Sequence, residues 1–180
     1  MQNLTSTVEA YQINLHRSKA ASYTLTKELG NKEKAIVLAQ EPWTQFNQVC
    51  GKPPGITLHV GCSKKQRPRA CIYTRGVDAW KLDKFSNEDI VTIRVTGNGV
   101  DTIVSSVYMA AENPAPPNLV RELVLYCAAK SLPLIMGSDC NSHNVAWGST
   151  NNNPRGAPLY EFLMESSLTW MNHGNDPTFV

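Results

Sequence analysis

The stretch from Leu132 to Asn141 reads LPLIMGSDCN and carries a strong structural signal. Its first half, Leu132 to Met136, is a short apolar run that predicts a buried β-strand. Its second half, Gly137 to Asn141, is polar and contains an acid. Ligands of layered α/β folds commonly bind beyond the ends of such strands, so this polar segment is a candidate functional site.

Three other predicted strands end in the same way, in a polar side chain. The strands and the polar residues that end them are 10–13 with Asn14, 35–39 with Gln40 and Glu41, 102–107 with Tyr108, and 132–136 with Asp139 and Asn141. If these strands share a sheet edge, their terminal side chains converge in one cleft.

The hydrophobic periodicity of the rest of the chain predicts further helices and strands. The expected elements are a helix at 18–29, a strand at 70–74, a hairpin of 91–95 with 102–108, a helix from Asn118, a helix from Leu159, and a strand at 168–172. Interleaved strands and helices favour a mixed α/β fold, with sheets covered by helices, over a helix bundle. No segment resembles a domain linker, so we expect one domain over residues 1–180.

The composition excludes several classes of protein. The chain has 180 residues, of which 42% are hydrophobic and 18% charged, so disorder, collagen and coiled coil are excluded. No apolar run approaches the ~20 residues that span a bilayer, and the N-terminus lacks the pattern of a secretory signal. The 5 cysteines show no metal-binding spacing, which favours reduced thiols and an intracellular protein. The net charge of +2 neither requires nor excludes a nucleic-acid partner.

The converging side chains suit a hard divalent cation. Two carboxylates, Glu41 and Asp139, would lie with the amides of Asn14 and Asn141 and the phenol of Tyr108. Mg²⁺ binds oxygen ligands of this kind and acts as a Lewis acid on a phosphodiester. Asp139 would orient the attacking water, and the amides and the phenol would donate hydrogen bonds to the phosphoryl oxygens.

Each of these residues also has an ordinary structural interpretation. Glu41 can be a solvated residue at a strand end, and Asp139 with Asn141 can form an Asx turn without chemistry. The joint pattern of four strand ends, rather than any single residue, favours a site.

The basic cluster Lys64-Lys65-Gln66-Arg67-Pro68-Arg69 is a candidate phosphate-binding loop, although a solvated loop fits equally well. Arg17 lies three residues after Asn14 and is within reach of a phosphate. Trp147, in a polar loop near Asp139, is the best candidate among the tryptophans for stacking on a base.

Several segments resemble the endonuclease domain of non-LTR retrotransposons, with the closest likeness to insect elements of the jockey type. That domain belongs to the endonuclease/exonuclease/phosphatase superfamily, which includes DNase I and the apurinic endonucleases. The segments occur in order along nearly the whole chain and are 12–21 (QINLHRSKAA), 40–43 (QEPW), 105–109 (SSVYM), 137–149 (GSDCNSHNVAWGS), Arg155-Gly156 with Leu159, and Asn172 with Pro177-Thr-Phe179.

The resemblance implies a DNase I-like sandwich of two sheets flanked by helices, and nicking of DNA that depends on Mg²⁺ or Mn²⁺. It implies that Glu41 and Asn14 lie at the metal, that Tyr108 is the active-site tyrosine, and that Asp139 and Asn141 handle the water and the phosphate. His143, Trp147 and Ser149 match positions of the retrotransposon branch, where we expect substrate contacts or local scaffolding. It also implies a reverse transcriptase in the same polyprotein, and action on DNA in the nucleus.

One departure from the family pattern concerns the end of the sequence. The family's Ser-Asp-His motif has no counterpart before Val180, so we expect a domain shortened at its C-terminus that lacks the closing strands. Because general acid–base assistance contributes about 10²–10⁴-fold, its absence would lower activity. Two alternatives follow: an inactive nuclease-like module that still binds DNA or another partner, and a phosphatase or phosphodiesterase of the same fold acting on a phospholipid or inositol phosphate.

Overall fold

A computed structural model describes residues 7–97 and 99–171 of the chain. The chain divides into two compact units, the first made of residues 1–108 and 131–139 and the second of residues 109–130 and 140–180. The strands of the first unit are β1 (Glu9–Asn14), β2 (Ala35–Gln40), β3 (Thr44–Gln45), β4 (Gln48–Val49), β5 (Thr57–His59), β6 (Ala70–Arg75), β7 (Ala79–Lys81), β8 (Ile90–Gly97), β9 (Val100–Tyr108) and β10 (Leu134–Asp139). The helices are α1 (Lys19–Gly30) in the first unit and α2 (Asn118–Lys130) and α3 (Gly156–Glu165) in the second.

Two four-stranded sheets build the first unit. Their strand orders are β1-β2-β6-β5 and β10-β9-β8-β7, and β1 pairs with β2, and β10 with β9, in parallel. A buried cluster joins residues of both sheets, including Leu38 and Ile72 of one and Ile93 and Val104 of the other. Removal of these aliphatic side chains from water stabilises the pairing of the sheets. The predicted α/β sandwich is therefore confirmed.

Helix α1 covers the other face of the first sheet. The Ser18 side chain accepts a hydrogen bond from Ala21 N and so caps the helix N-terminus. Leu29 is buried at the opposite end, in a cluster with Leu15 and Val37. The predicted helix at 18–29 is thus confirmed to within one residue at each end.

The second unit contains α2, α3 and the loops next to them. Helix α2 buries Val120, Leu123, Val124 and Cys127, which are apolar positions of the predicted stripe. Helix α3 begins at Gly156, where an added Cβ would lie 1.9 Å from the His143 carbonyl oxygen. Only glycine fits this close approach, which fixes the start of α3 against the preceding loop.

Two predicted strands differ from the structure. Strand β10 starts at Leu134 rather than Leu132 and continues to Asp139, because its polar end pairs with β9 up to Tyr108. The strand predicted at 168–172 is wrong for residues 168–171, which have no regular structure. Asn172 and the segment Pro177–Phe179 lie outside the described residues.

The short strands β3, β4, β5 and β7 were not predicted, because two or three residues carry too little periodicity. Among the described residues, no disulfide joins the cysteines, and Cys71 and Cys127 are buried. Within the same residues, every helix is too short or too polar to cross a bilayer.

Candidate active site

The polar strand ends lie at the ends of two parallel strand pairs of the first unit. In one sheet Asn14 is in register with Gln40, and Glu41 follows directly. In the other sheet Tyr108 is in register with Asp139. The expected single sheet edge is therefore wrong in detail, because two sheets rather than one supply these side chains.

The Asn14 amide joins the two carboxylates. Its Nδ2 lies 2.6 Å from Asp139 Oδ2 and 3.3 Å from Glu41 Oε2. Its Oδ1 accepts a hydrogen bond of 2.8 Å from the His16 backbone N–H, which fixes the orientation of the amide. A single NH₂ group has two hydrogens, so it can serve both acids at once.

Glu41 is held from several directions. Arg17 Nη2 forms an ion pair of 2.9 Å with Glu41 Oε1, and the Arg17 backbone N–H donates to the Glu41 carbonyl at 2.8 Å. The Glu41 N–H donates to the Arg69 carbonyl at 2.8 Å. Glu41 has a φ of +46°, a left-handed conformation that is uncommon for a residue with a Cβ. Such a conformation persists where the surroundings determine it, and it aims the carboxylate at Asn14.

Gln40 is a buried residue of the site that sequence reasoning did not single out for a role. Its side chain is fully buried, and its Nε2 donates to Ser106 Oγ at 2.9 Å and to the Gly137 carbonyl at 3.1 Å. Its Oε1 accepts from Gln12 Nε2 at 2.7 Å. One amide therefore ties β2 to β1, β9 and β10 immediately before Glu41. Its position in the QEPW segment was the available signal, but no periodicity marks a buried amide.

Gly137 allows β10 to approach the first sheet. A Cβ at this position would lie 2.7 Å from Leu38 Cδ1 and 2.9 Å from Gln12 Cγ. Real Cβ atoms do not make such contacts, so the close approach depends on glycine. Gly137 lies two residues before Asp139, and its close packing therefore helps to bring that acid to Asn14.

Tyr108 lies beside a cation. The Arg69 guanidinium carbon is 5.3 Å from the centre of the Tyr108 ring, a cation–π distance. Arg69 also forms an ion pair with Asp89, whose Oδ2 lies 2.6 Å from Arg69 Nη2. The Tyr108 backbone N–H donates to the Asp89 carbonyl at 2.8 Å. These contacts orient Tyr108 and place Arg69, the last residue of the basic cluster found in the sequence, beside its ring, with the guanidinium paired to Asp89.

The donor set fits a hard divalent cation. Within the described parts of the chain, no three histidine, cysteine or acidic side chains come together as a metal-binding group. The two carboxylates nevertheless contact the same amide nitrogen, while the amide oxygen accepts from the His16 N–H. The carboxylates could bind a cation as they stand, whereas the Asn14 amide would have to turn before its oxygen became a ligand. Mg²⁺ is commonly held by one or two carboxylates and keeps water or phosphate oxygens in its other positions. Glu41, Asp139 and Asn14 are the residues that could hold it.

Asn141 belongs to the second unit and follows Asp139 by two residues. Its φ is +46°, and its Nδ2 donates to the Met109 carbonyl at 3.2 Å. Its own carbonyl accepts from Arg155 Nε at 3.1 Å. Arg155 also donates to the carbonyls of Met109, Cys140, Ala111 and Asn113. One guanidinium thus organises the backbone around Asn141.

The 143–149 loop of the second unit is fixed by asparagines. His143 is exposed, and its Nδ1 lies 2.8 Å from Asn151 Oδ1. Trp147 is half-buried, with Nε1 donating to the Ser142 carbonyl at 3.3 Å. The Ser149 N–H contacts the Asn144 carbonyl at 3.3 Å. These contacts describe an ordered loop whose tryptophan keeps part of its ring in solvent.

The basic cluster of the first unit lies on an exposed loop. Lys64, Lys65 and Arg67 are all exposed, and Arg67 Nε donates to Thr44 Oγ1 at 3.1 Å. At its end, the loop reaches Arg69, whose carbonyl accepts from Glu41. The loop is thus tied by its backbone to the residue that carries one of the two acids.

Comparison with known proteins gives two informative matches. Residues 102–180 match the family described as "Endonuclease-reverse transcriptase". The endonuclease domain of TRAS1, a telomere-specific non-LTR retrotransposon, is similar in structure with a TM-score of 0.77 and 25% sequence identity, over 93% of this chain and 74% of that one. A β-hairpin deletion mutant of beta toxin from Staphylococcus aureus is 12% identical over 86% of this chain and 72% of that one, with a TM-score of 0.48 that is too low to inform function. No curated protein sequence matches the chain.

The family match covers the part of the chain that contains Tyr108, Asp139 and Asn141, and the structural match covers 93% of the chain. Together they confirm the resemblance found in the motifs: residues 102–180 match the endonuclease-reverse transcriptase family, and the chain has a fold similar to that of the endonuclease domain of a non-LTR retrotransposon.

Proposed function

We propose that this domain nicks DNA in a reaction that depends on Mg²⁺, with Mn²⁺ as a substitute, and that the nick primes reverse transcription. The observation that carries the proposal is the Asn14 amide, which contacts both Asp139 and Glu41. Two acids joined through one neutral donor at strand ends are suited to phosphodiester hydrolysis, and the fold is that of a nuclease family.

Glu41 and Asn14 would hold the metal ion, with Asp139 beside it. When bound, Mg²⁺ would act as a Lewis acid on the scissile phosphate and stabilise the charge on the leaving oxygen. Glu41 Oε1 is paired with the half-exposed Arg17 guanidinium, which a bound cation would displace.

Asp139 would orient the attacking water and accept its proton. The water oxygen then bonds to phosphorus, and the bond from phosphorus to the 3′ oxygen breaks. The leaving 3′ oxygen takes up a proton from solvent, and the resulting 3′-hydroxyl is the end that a reverse transcriptase would extend. The Asn14 and Asn141 amides, the Tyr108 hydroxyl and the nearby Arg69 charge would stabilise the phosphoryl oxygens as negative charge develops.

The DNA backbone would be held by the cations outside this centre. Lys64, Lys65 and Arg67 are exposed and free to meet phosphates on their solvent sides, and Arg17 is half-exposed beside Glu41. His143, Trp147 and Ser149 would also contact the substrate, with Trp147 as the residue that stacks on a base. We further propose that a reverse transcriptase in the same polyprotein is the partner, and that the domain acts in the nucleus.

Nicking of supercoiled plasmid in Mg²⁺ tests the proposal. We expect relaxed circles with the wild-type chain and at least about a hundredfold less product with Glu41→Ala or Asp139→Ala, since each removes one of the two acids. Glu28→Ala, on the exposed side of α1, is the matched control and should nick normally. Cleavage that survives both active-site substitutions would overturn the assignment.

Two further measurements, made beside the nicking assay, separate the alternatives. Salt-dependent binding of DNA without nicking would favour an inactive DNA-binding module. Release of phosphate from a phospholipid or inositol phosphate, with intact plasmid, would favour a phosphatase of this fold.

A further inference from the structure

The turn between β3 and β4 carries an aromatic ring that is almost wholly in solvent. Phe46 is 94% exposed, and it forms a two-residue turn with Asn47. The φ angles are +49° at Phe46 and +58° at Asn47, the combination of a type I′ turn. Such turns favour asparagine and glycine, because a bulky side chain is crowded at positive φ. Phe46 therefore brings neither burial nor a favourable turn conformation to the folded state, and such a position is a candidate for contact with another molecule.

Cations surround this hairpin. Asn47 Nδ2 donates to the Lys64 carbonyl at 3.3 Å, and Arg67 Nε donates to Thr44 Oγ1 at 3.1 Å. The hairpin and the 64–67 loop are thus joined at both the tip and the base of the hairpin. The Lys64 and Lys65 side chains are exposed, and the Lys64 backbone is bonded to Asn47, the residue next to Phe46. An exposed aromatic ring on a hairpin joined to a basic loop is complementary to a polyanion that also presents flat apolar groups, which describes a nucleic acid.

The hairpin lies within reach of the acids. Phe46 follows Glu41 by five residues, so their Cα atoms are at most about 18 Å apart, which is the rise of about five base pairs. The 64–67 loop is also bonded to Glu41 through the Arg69 carbonyl. A duplex with one phosphate at the acids is therefore long enough to reach the hairpin.

We propose that the 44–49 hairpin is a duplex-DNA contact in which the Phe46 ring inserts at a base step from the minor groove, while Lys64, Lys65 and Arg67 hold the flanking phosphates. Aromatic and aliphatic side chains insert between base steps in many proteins that contact the minor groove. This inference deepens the proposed function, since it names a site through which the nuclease would recognise its substrate, and it rests on DNA being that substrate.

Equilibrium binding to a labelled DNA duplex, without divalent cations so that no cleavage occurs, tests the inference. Phe46→Asn is the informative variant, because asparagine is preferred at this φ and the fold should melt at the same or a higher temperature. We expect Phe46→Asn to bind duplex about five- to a hundredfold more weakly, the range measured when a stacking ring is lost. Phe46→Trp should retain binding. Leu125→Ala, which removes a 68% exposed leucine from α2, is the matched control and should bind as wild type does.

Heparin, a polyanion without bases, separates stacking from charge. We expect Phe46→Asn to bind heparin normally and the triple variant Lys64→Ala, Lys65→Ala, Arg67→Ala to bind both polyanions more weakly. Three results would each overturn the inference. The first is that Phe46→Asn binds duplex as wild type does, and the second is that Phe46→Asn loses as much affinity for heparin as for duplex. The third is that the wild-type chain does not bind duplex. The proposed function has a separate measurement, which is nicking of plasmid. If the chain fails to nick plasmid but its duplex binding still depends on Phe46, the proposed endonuclease activity is contradicted and the hairpin contact is supported.

Discussion

Asn14 Nδ2 lies 2.6 Å from Asp139 Oδ2, although the two residues are 125 positions apart in the chain. The bond joins the end of β1 in one sheet to the end of β10 in the other, and the same nitrogen contacts Glu41. A neutral amide thus separates two acids that would otherwise repel each other. It links the packing of the sandwich directly to the geometry of the proposed active site.

Asn14→Asp should replace the hydrogen bonds of the Asn14 amide with electrostatic repulsion between carboxylates. A third carboxylate replaces the donor, so we expect a loss of about 1–3 kcal/mol in the free energy of unfolding. Because three oxygen-bearing acids would attract a cation more strongly, millimolar Mg²⁺ should restore much of that loss. Thermal melting with and without Mg²⁺, at constant ionic strength, measures both effects. Asn113→Asp, on an exposed loop, makes the same charge change, and an identical response of the two variants would contradict this account.

Gly137→Ala should disturb the contact between β10 and the first sheet. The added methyl group would lie 2.7 Å from Leu38 Cδ1, so neighbouring atoms must move, and overpacking of this kind costs about 1–3 kcal/mol. Denaturant unfolding gives the value. Gly30→Ala is the control, because a Cβ there meets nothing within 4 Å and helix propensity favours alanine. Equal stability of the two variants would show that β10 accepts a Cβ at position 137 without strain, which would contradict the close packing in the structure.

Arg155→Met should loosen the backbone around Asn141 without touching the acids. The guanidinium donates to carbonyls at 109, 111, 113, 140 and 141, and removing it takes one donor from each. The carbonyls at 109, 140 and 141 keep a second donor in Asn141, Ser142 and Asn153. We expect faster amide hydrogen exchange in 109–113 and 140–153 and a loss of about 1–3 kcal/mol. Arg121→Lys is the control in the same unit, since lysine can keep the contact over the Phe162 ring. Unaltered exchange in those loops would refute the organising role of Arg155.

His59 should make stability depend on pH. Burial lowers the pKa of His59, and the nearby Lys81 charge lowers it further. Since its folded-state pKa lies below the unfolded value near 6.5, the unfolded chain takes up the proton more readily. The contribution of His59 is therefore complete above about pH 6.5 and is lost as the pH falls through the lowered pKa. Melting between pH 8 and pH 5 should show a steeper loss for wild type than for His59→Gln, which can keep the 3.1 Å contact with Thr74 Oγ1. Parallel curves would exclude His59 as a source of acid sensitivity.

The sequence predicted the elements that depend on local patterns. The apolar runs located β2, β6 and β9, and the polar residues at strand ends located Asn14, Glu41, Tyr108 and Asp139. The end of β10 was misplaced because Gly137 to Asp139 form strand through pairing with β9, which no local polarity reveals. The buried Gln40 amide and the Arg155 guanidinium act across distant segments, so only coordinates show their partners. Phe46 was not predicted as a functional residue, because an apolar residue is normally expected in the core, whereas the turn places this one in solvent.

The most direct test of the central claim is a titration with Mn²⁺ followed by electron paramagnetic resonance, on the wild-type chain and on Glu41→Gln and Asp139→Asn. Both substitutions keep the size of the side chain and remove one charge, and binding is read without any cleavage. If the two acids share one cation, the wild-type chain should bind one Mn²⁺ saturably and Mg²⁺ should displace it. Neither variant should bind this Mn²⁺. Wild-type binding in either variant would contradict a shared centre and, with it, the proposed mechanism.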